Sequence, residues 1–290
     1  MSWRTVVISS RAKLDYQLGY MVVRNDSITK IHLNEISNVL VESTAVSITT
    51  TLLAELIKKK IKVIFCDEKR IPVSELVSYY GSHDSSDKLR TQIQWKNEMK
   101  QEIWTEIVSE KIRKQKQLLE ILGKEESELL QKYLEEIEWN DQTNREGHSA
   151  KVYFNALFGL DFTRTQDIPI NIALNYGYSI LTSCFSREIV ANGYVTQLGL
   201  FHDNMFNHFN LSSDLVEPFR ILVDKKVYQM NFDSFGKDEK MLIVNILNEE
   251  VKIGNKKQYV NNAIKIYCKS VFEAINRCDS SLIQFYQFEL

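Results

Sequence analysis

The sequence has 290 residues with 36 lysines and arginines against 38 aspartates and glutamates, a formal net charge of -2 at pH 7. That balance excludes a uniformly basic nucleic-acid-binding surface and leaves phosphate recognition to local clusters. Cys66, Cys184, Cys268 and Cys278 form no CxxC pair and no zinc-finger spacing, so neither a disulfide framework nor a structural zinc site is expected.

The opening Met1-Ser2-Trp3-Arg4 lacks an apolar signal core, and no apolar run reaches the roughly 18 residues of a membrane span. The chain is therefore expected to be soluble and cytoplasmic. From Trp3 to about Cys66 it reads as strand-rich, with Val6, Val7 and Ile8 opening the pattern. Tyr20 to Arg24 and Ser27 to Leu33 flank Asn25-Asp26, a two-residue hairpin turn of the kind that tolerates positive φ. Ile36 to Val41 predicts another strand. Ser47 to Lys60 predicts a short helix, with Leu52, Leu53, Leu56 and Ile57 at helical spacing. Ile61 to Cys66 is short, apolar and β-branched, the mark of a buried strand.

From Pro72 onward the character changes, and beyond the Ser-, His- and Asp-rich stretch at 82–87 nearly everything has helical periodicity. The expected fold is α+β: a small N-terminal β-rich domain with one short helix over 1–80, a linker at 81–87, and a larger all-α catalytic domain over 88–290. Helices are predicted over Lys88 to Leu122 with Gly123 as the stop, Ser127 to Trp139, Arg145 to Phe158, and Pro169 to Ala191. Two more fall between Asp238 and Asn276, separated by a brief strand and turn at Val251 to Asn255.

The chemistry concentrates in Leu198 to Arg220. Asp214 and Glu217 sit three apart, which on a helix puts two carboxylates on one face, about 5 to 6 Å apart at Cβ. A hard divalent cation relieves that repulsion, and His202 upstream offers an imidazole that Mn²⁺ accepts more readily than Mg²⁺. Pro218 interrupts the helical hydrogen bonding, and the break could expose the acidic pair. A second stretch, Arg145 to Phe154, places Glu146, Ala150 and Tyr153 on one helical face with small residues around the carboxylate. Read alone, Glu146 is more readily a solvated first-turn glutamate than a ligand.

Glu146 with its small neighbours and Tyr153, then Leu200-Phe201-His202, then Ser213 to Arg220 together resemble the metal-site motifs of the CRISPR-associated adaptation integrase. The match spans nearly the whole chain, and the Asn-rich passage Asn204 to Leu211 is similar to the type II branch. The resemblance implies that Glu146, His202 and Glu217 are catalytic and bind Mg²⁺ or Mn²⁺, with Asp214 beside them as a second-shell or alternative ligand. It implies insertion of protospacer DNA into the repeat array by attack of a 3′-hydroxyl on a phosphodiester, with associated endonuclease activity.

It also implies that Arg145, Lys151, Arg164 and Arg220 track the DNA backbone. Expected partners are double-stranded DNA, a second copy of the chain, the small ferredoxin-like adaptation partner, and in type II relatives an effector nuclease and a ring-forming accessory protein. Two other readings use the same residues: a nonspecific metal-dependent nuclease, and a DNA-binding scaffold without catalysis. His208 and His148 read as structural or DNA-facing. The basic run Lys111 to Lys116 is a further candidate DNA patch or a solvated helix face, Tyr153 or Phe154 could stack on splayed bases, and Phe285, Tyr286 and Phe288 are candidates for an oligomer or partner contact.

Overall fold

The computed structural model describes residues 4–68, 70, 72–76, 83–230 and 235–287. Trp3, Gly81 and Phe288 lie outside the described residues. The chain divides into two compact units, Met1–Gly81 and Ser82–Leu290.

The first unit holds two four-stranded sheets. In one, β1 (Arg4–Ile8), β5 (Ile36–Val41) and β7 (Lys62–Cys66) run parallel and β8 (Pro72–Glu75) pairs antiparallel at the edge. The other has the order β4 (Ile28–His32), β3 (Tyr20–Arg24), β2 (Ala12–Gln17) and β6 (Val46–Ile48). Leu14, Met21, Ile36, Val39 and Val63 share one core with Leu52 and Leu56 of α1 (Thr50–Lys58), a pattern that follows from alternate strand residues and i, i+4 helix residues sharing a face. Lys62, buried within β7, is paired with Glu75.

The hairpin between β3 and β4 is real, but its loop has three residues. Arg24 pairs with Ile28, and Asn25 Oδ1 accepts from Ser27 N at 3.1 Å. None of the three has positive φ, because the Asn25 side chain closes the turn in place of a left-handed backbone. The two-residue positive-φ turn lies one hairpin earlier, at Leu18 (φ 47°) and Gly19 (φ 88°) between β2 and β3.

The second unit is helical. Its elements are α2 (Ser85–Ile93), α3 (Asn97–Ile121), α4 (Ser127–Glu135), α5 (Arg145–Phe158), α6 (Pro169–Ala191), α7 (Asn210–Val216), α8 (Arg220–Gln229), α9 (Lys237–Val244) and α10 (Val260–Arg277). Helix α2 takes in Ser85 to Asp87, so helical structure begins inside the stretch 81–87. Among the described residues the one sheet of this unit is the hairpin of β9 (Glu250–Ile253) and β10 (Lys256–Tyr259), where the strand and turn were expected.

The predicted helix from Lys88 to Leu122 is two helices. Trp95 interrupts it by turning inward, where its Nε1 donates to Asn276 Oδ1 at 3.0 Å and its ring meets Tyr194 and Phe272. Gly123 ends α3 at φ 65°, as a left-handed stop position requires. Helix α3 is the spine of the unit, packing against α4, α5, α8, α10 and the 3-10 turn Glu217–Phe219.

Candidate active site

Helix α5 starts under three restraints. Asn144, itself left-handed at φ 53°, accepts from Gly147 N at 3.3 Å. Asp141 accepts from the N–H groups of Arg145 at 2.7 Å and Glu146 at 3.0 Å. These satisfy first-turn donors that no helical carbonyl can reach. Glu146 is thereby fixed with its side chain 30% exposed and ion-paired with Lys111 of α3. It is not a freely solvated glutamate.

Glu217 opens the 3-10 turn between α7 and α8, so the helix is interrupted at Pro218 as its missing N–H predicts. The break does not expose the acidic pair: Asp214 is 0% and Glu217 5% exposed. Lys111 Nζ lies 2.5 Å from Glu217 Oε2, without hydrogen-bond geometry, and Arg220 Nη2 lies 3.0 Å from Oε1. Burial pushes the Glu217 carboxyl up, but Arg220 and Lys111 outweigh it and hold the group below the usual carboxylate range. Burial likewise opposes charge on Lys111, yet Glu217 and Glu146 together raise its pKa above that of an ordinary lysine. One ammonium therefore sits between two carboxylates that are remote in sequence.

Asp214 faces the other way. Its Oδ2 accepts from Leu200 N at 2.6 Å and Phe201 N at 3.2 Å; its Oδ1 accepts from His202 N at 3.1 Å and contacts His202 Nδ1 at 2.6 Å. The loop wraps the carboxylate closely enough that a Cβ on Gly199 would stand 2.7 Å from Oδ2 and 2.3 Å from the His202 carbonyl. Gln92 of α2 anchors the approach to this loop, bonding Val195 N and O at 2.9 Å and Leu198 O at 3.0 Å. Trp104 of α3 stacks on Phe201 with centroids 4.5 Å apart and meets the His202 ring edge-on at 5.7 Å. The hydrogen bond to Asp214 raises the pKa of His202 above that of free imidazole, against the effect of burial.

The Asn-rich passage is turn chemistry. Asn204 Oδ1 accepts from Phe206 N and Asn207 Oδ1 from Phe209 N, each at 2.9 Å, while Asn210 Nδ2 donates to the carbonyls of Gln197 and Asn204 at 3.0 Å. His208 is exposed and lends its carbonyl to Thr196 at 2.7 Å. His148 is also exposed.

Glu146 and Glu217 line a cleft of about 280 Å³ together with Lys111, Arg164, Tyr178, Arg220 and Asp224. Two of the four expected DNA-contacting residues, Arg164 and Arg220, thus reach the acidic site. Both stack on Tyr178, and Arg164 bonds Asn171 and Asn175. Arg145 instead turns to Glu136 at 3.0 Å and to the Tyr133 ring, and Lys151 is exposed on α5. Tyr153 is wholly buried with its hydroxyl donating to Asp224 at 3.2 Å, so it has no free face for a base. Phe154 lines the cleft while packing against Phe158 and Phe162.

The basic run on α3 is not a solvated face along its length: Arg113 and Lys116 reach the surface and the other two cations do not. Lys111 and Lys114 are buried, the latter against Glu110 and the Tyr286 carbonyl, and burial lowers its pKa to about 8. The sequence signal for both was lysine in the stripe formed by Ile103, Trp104, Ile107, Val108, Leu118 and Leu119, where an apolar residue is the norm. Tyr286 is buried inside this unit and Phe285 packs on Tyr267, which accounts for both rings without a partner chain.

Among the described residues no three of His, Cys, Asp and Glu stand close enough to grip one ion. The side chains form two pairs instead, Glu146 with Glu217 through Lys111, and His202 with Asp214. Although they do not meet at one point here, two carboxylates and an imidazole are donor types that suit a divalent cation. The Lys111 ammonium stands in for one between the carboxylates, and Asp214 on Nδ1 leaves the His202 Nε2 as the available nitrogen. Asp214 itself has both oxygens committed to the loop.

Residues 5–238 match the family model described as "CRISPR associated protein Cas1". A curated relative from Neisseria meningitidis serogroup C (strain 8013), named CRISPR-associated endonuclease Cas1, is 32% identical over 79% of this chain and 76% of its own length. A second, from Francisella tularensis subsp. novicida (strain U112), is 24% identical over 90% of this chain and 89% of its own length. Among solved structures, a casposase bound to integration product shares the fold with a TM-score of 0.78 at 17% identity, covering 97% of this chain and 93% of that one. A Cas1 protein from Thermotoga maritima gives 0.77 at 18% identity, covering 99% of this chain and 100% of that one. A longer chain of a Cas6-RT-Cas1–Cas2 complex gives 0.75 at 19% identity, with 99% of this chain matching 36% of that one. With the family model matching most of its length, the chain belongs to the CRISPR-associated Cas1 family.

Proposed function

We propose that the protein is a metal-dependent DNA integrase of CRISPR adaptation, which joins a protospacer 3′-hydroxyl to a phosphodiester at the repeat boundary and exchanges one phosphate ester bond for another. The observation that carries this reading is the convergence of Glu146 and Glu217 on a single cation position, beside a His202 ring held by Asp214. Glu146, Glu217 and His202 Nε2 would hold Mg²⁺ or Mn²⁺, which when bound supplies positive charge for the phosphoryl oxygens. Asp214 fixes the His202 ring with Nε2 outward. Arg164 and Arg220 bind phosphate at the mouth of the cleft, adding positive charge beside an acidic site that would otherwise repel the backbone. In-line transfer depends chiefly on such positioning and charge.

The likeness to a chain of a Cas6-RT-Cas1–Cas2 complex supports a Cas2-type partner, and we propose that the chain acts as a homodimer on double-stranded DNA. The fold shared with a casposase on its integration product supports strand transfer over simple hydrolysis. The test uses purified, folded Glu146→Ala and His202→Ala proteins with Mn²⁺ or Mg²⁺ and DNA ends with or without a free 3′-hydroxyl. Both substitutions abolish transfer while DNA binding and fold survive, and the wild type requires the 3′-hydroxyl. Transfer retained by either variant refutes the assignment.

A further inference from the structure

The residues after α10 return to the spine of the helical unit. The left-handed Cys278 (φ 53°) caps α10, and Gln287 N donates to the Lys252 carbonyl of β9 at 2.7 Å. This brings Tyr286 inside, 1% exposed. Its hydroxyl donates to the Pro218 carbonyl at 3.1 Å, and its ring packs on Phe219 with centroids 4.6 Å apart. Its own carbonyl accepts from Lys114 Nζ at 2.9 Å, and the same ammonium lies 4.0 Å from the ring centre. Pro218 and Phe219 are the second and third residues of the 3-10 turn whose first is Glu217. Lys114 lies one turn along α3 from Lys111, the partner of Glu217.

We infer that Tyr286 is a positioning residue for Glu217, clamping the 3-10 turn against α3 so that the carboxylate is held toward the cleft. The inference rests on the reading of Glu217 as a metal ligand. The physical need is specific. A 3-10 turn carries poorer hydrogen bonds than an α-helix, and Pro218 has no N–H with which to tie the turn to the end of α7, so the turn is weakly held by its own backbone. The Tyr286 hydroxyl on the Pro218 carbonyl adds a restraint from outside the turn, and burial keeps water from competing for that bond. Tyr267 is the natural comparison. It packs on the same Phe219 ring with centroids 5.4 Å apart, but its buried hydroxyl has no hydrogen-bond partner among the described residues.

The experiment is a Mn²⁺ titration of the full chain, following free Mn²⁺ by its electron paramagnetic resonance signal, with thermal melting alongside. Tyr286→Phe keeps the ring and deletes the bond. It is expected to bind Mn²⁺ about tenfold more weakly, at the low end of the range for groups that orient a ligand, with a melting temperature within about 4 °C of wild type. Tyr267→Phe is expected to match wild type in both. Wild-type affinity in Tyr286→Phe overturns the inference and leaves the metal site standing, and so does equal weakening in both variants, which would mark a general loosening of the core. A wild type that binds no Mn²⁺ overturns the site assignment, and the inference with it.

Discussion

Asp214 and His202 meet twice, through the backbone N–H at 3.1 Å and through the ring Nδ1 at 2.6 Å. Asp214 is thus the core around which the His202 loop is folded, accepting from three consecutive backbone N–H groups while wholly buried. Asp214→Asn replaces one acceptor oxygen with an NH₂ that faces donors. It is expected to cost about 3 kcal/mol of stability and to reduce strand transfer about 10- to 100-fold by releasing the imidazole. Urea unfolding and a transfer assay check this, and a variant as stable as wild type would contradict it.

Lys111 holds together two carboxylates that repel in its absence. In Lys111→Met, chelator-treated protein is expected to lose about 3 kcal/mol, since the pair partner is removed from the buried Glu217. Added Mn²⁺ should restore much of that loss, so the melting temperature rises more with metal than in wild type. The same Mn²⁺ shift in both proteins would count against the cation position assigned between Glu146 and Glu217.

Asp224 carries the clearest pH signature. Burial raises its pKa from 3.8 to about 6, although bonds from Tyr178 and Tyr153 and the charge of Arg220 pull the other way. Between about pH 4 and 6 the folded state holds a proton that the unfolded chain has released. Stability from this group is therefore highest below pH 4 and falls through the window, by about 3 kcal/mol in all, then levels off. Asp224→Asn should abolish that slope, so its stability relative to wild type improves as pH rises from 4 to 6. Unfolding free energies across this window test it, and parallel curves would exclude Asp224 as the source.

Gly177 marks where α6 and α8 touch. A Cβ there would lie 2.5 Å from Val223 Cγ1 and 2.9 Å from its Cγ2. Gly177→Ala is expected to cost about 2 kcal/mol through overpacking. Gly177→Ala with Val223→Ala should recover part of it, as coupled neighbours do. A double mutant that merely sums the two single losses would count against a close approach of the two helices at this point.

Helix boundaries were legible wherever they were set by adjacent residues. Arg145–Phe158 and Pro169–Ala191 fall where Asn144, Gly159 and the first-turn proline put them. The break before α3 was not legible, because Trp95 leaves the helix for Asn276, Tyr194 and Phe272, all far along the chain. The residue types of the site were readable in part: His202, Asp214 and Glu217 stand out as candidate ligands before any fold is known, whereas Glu146 read alone is a solvated glutamate and joins them only through the resemblance to the integrase family. How they divide was decided by tertiary structure. Asp214 and Glu217 are near neighbours in sequence, yet one is enclosed by the His202 loop and the other faces Lys111 across α3. Local chemistry names donors and turn formers from the sequence, whereas the partner of each buried charge depends on which distant backbone and side chains exclude water around it.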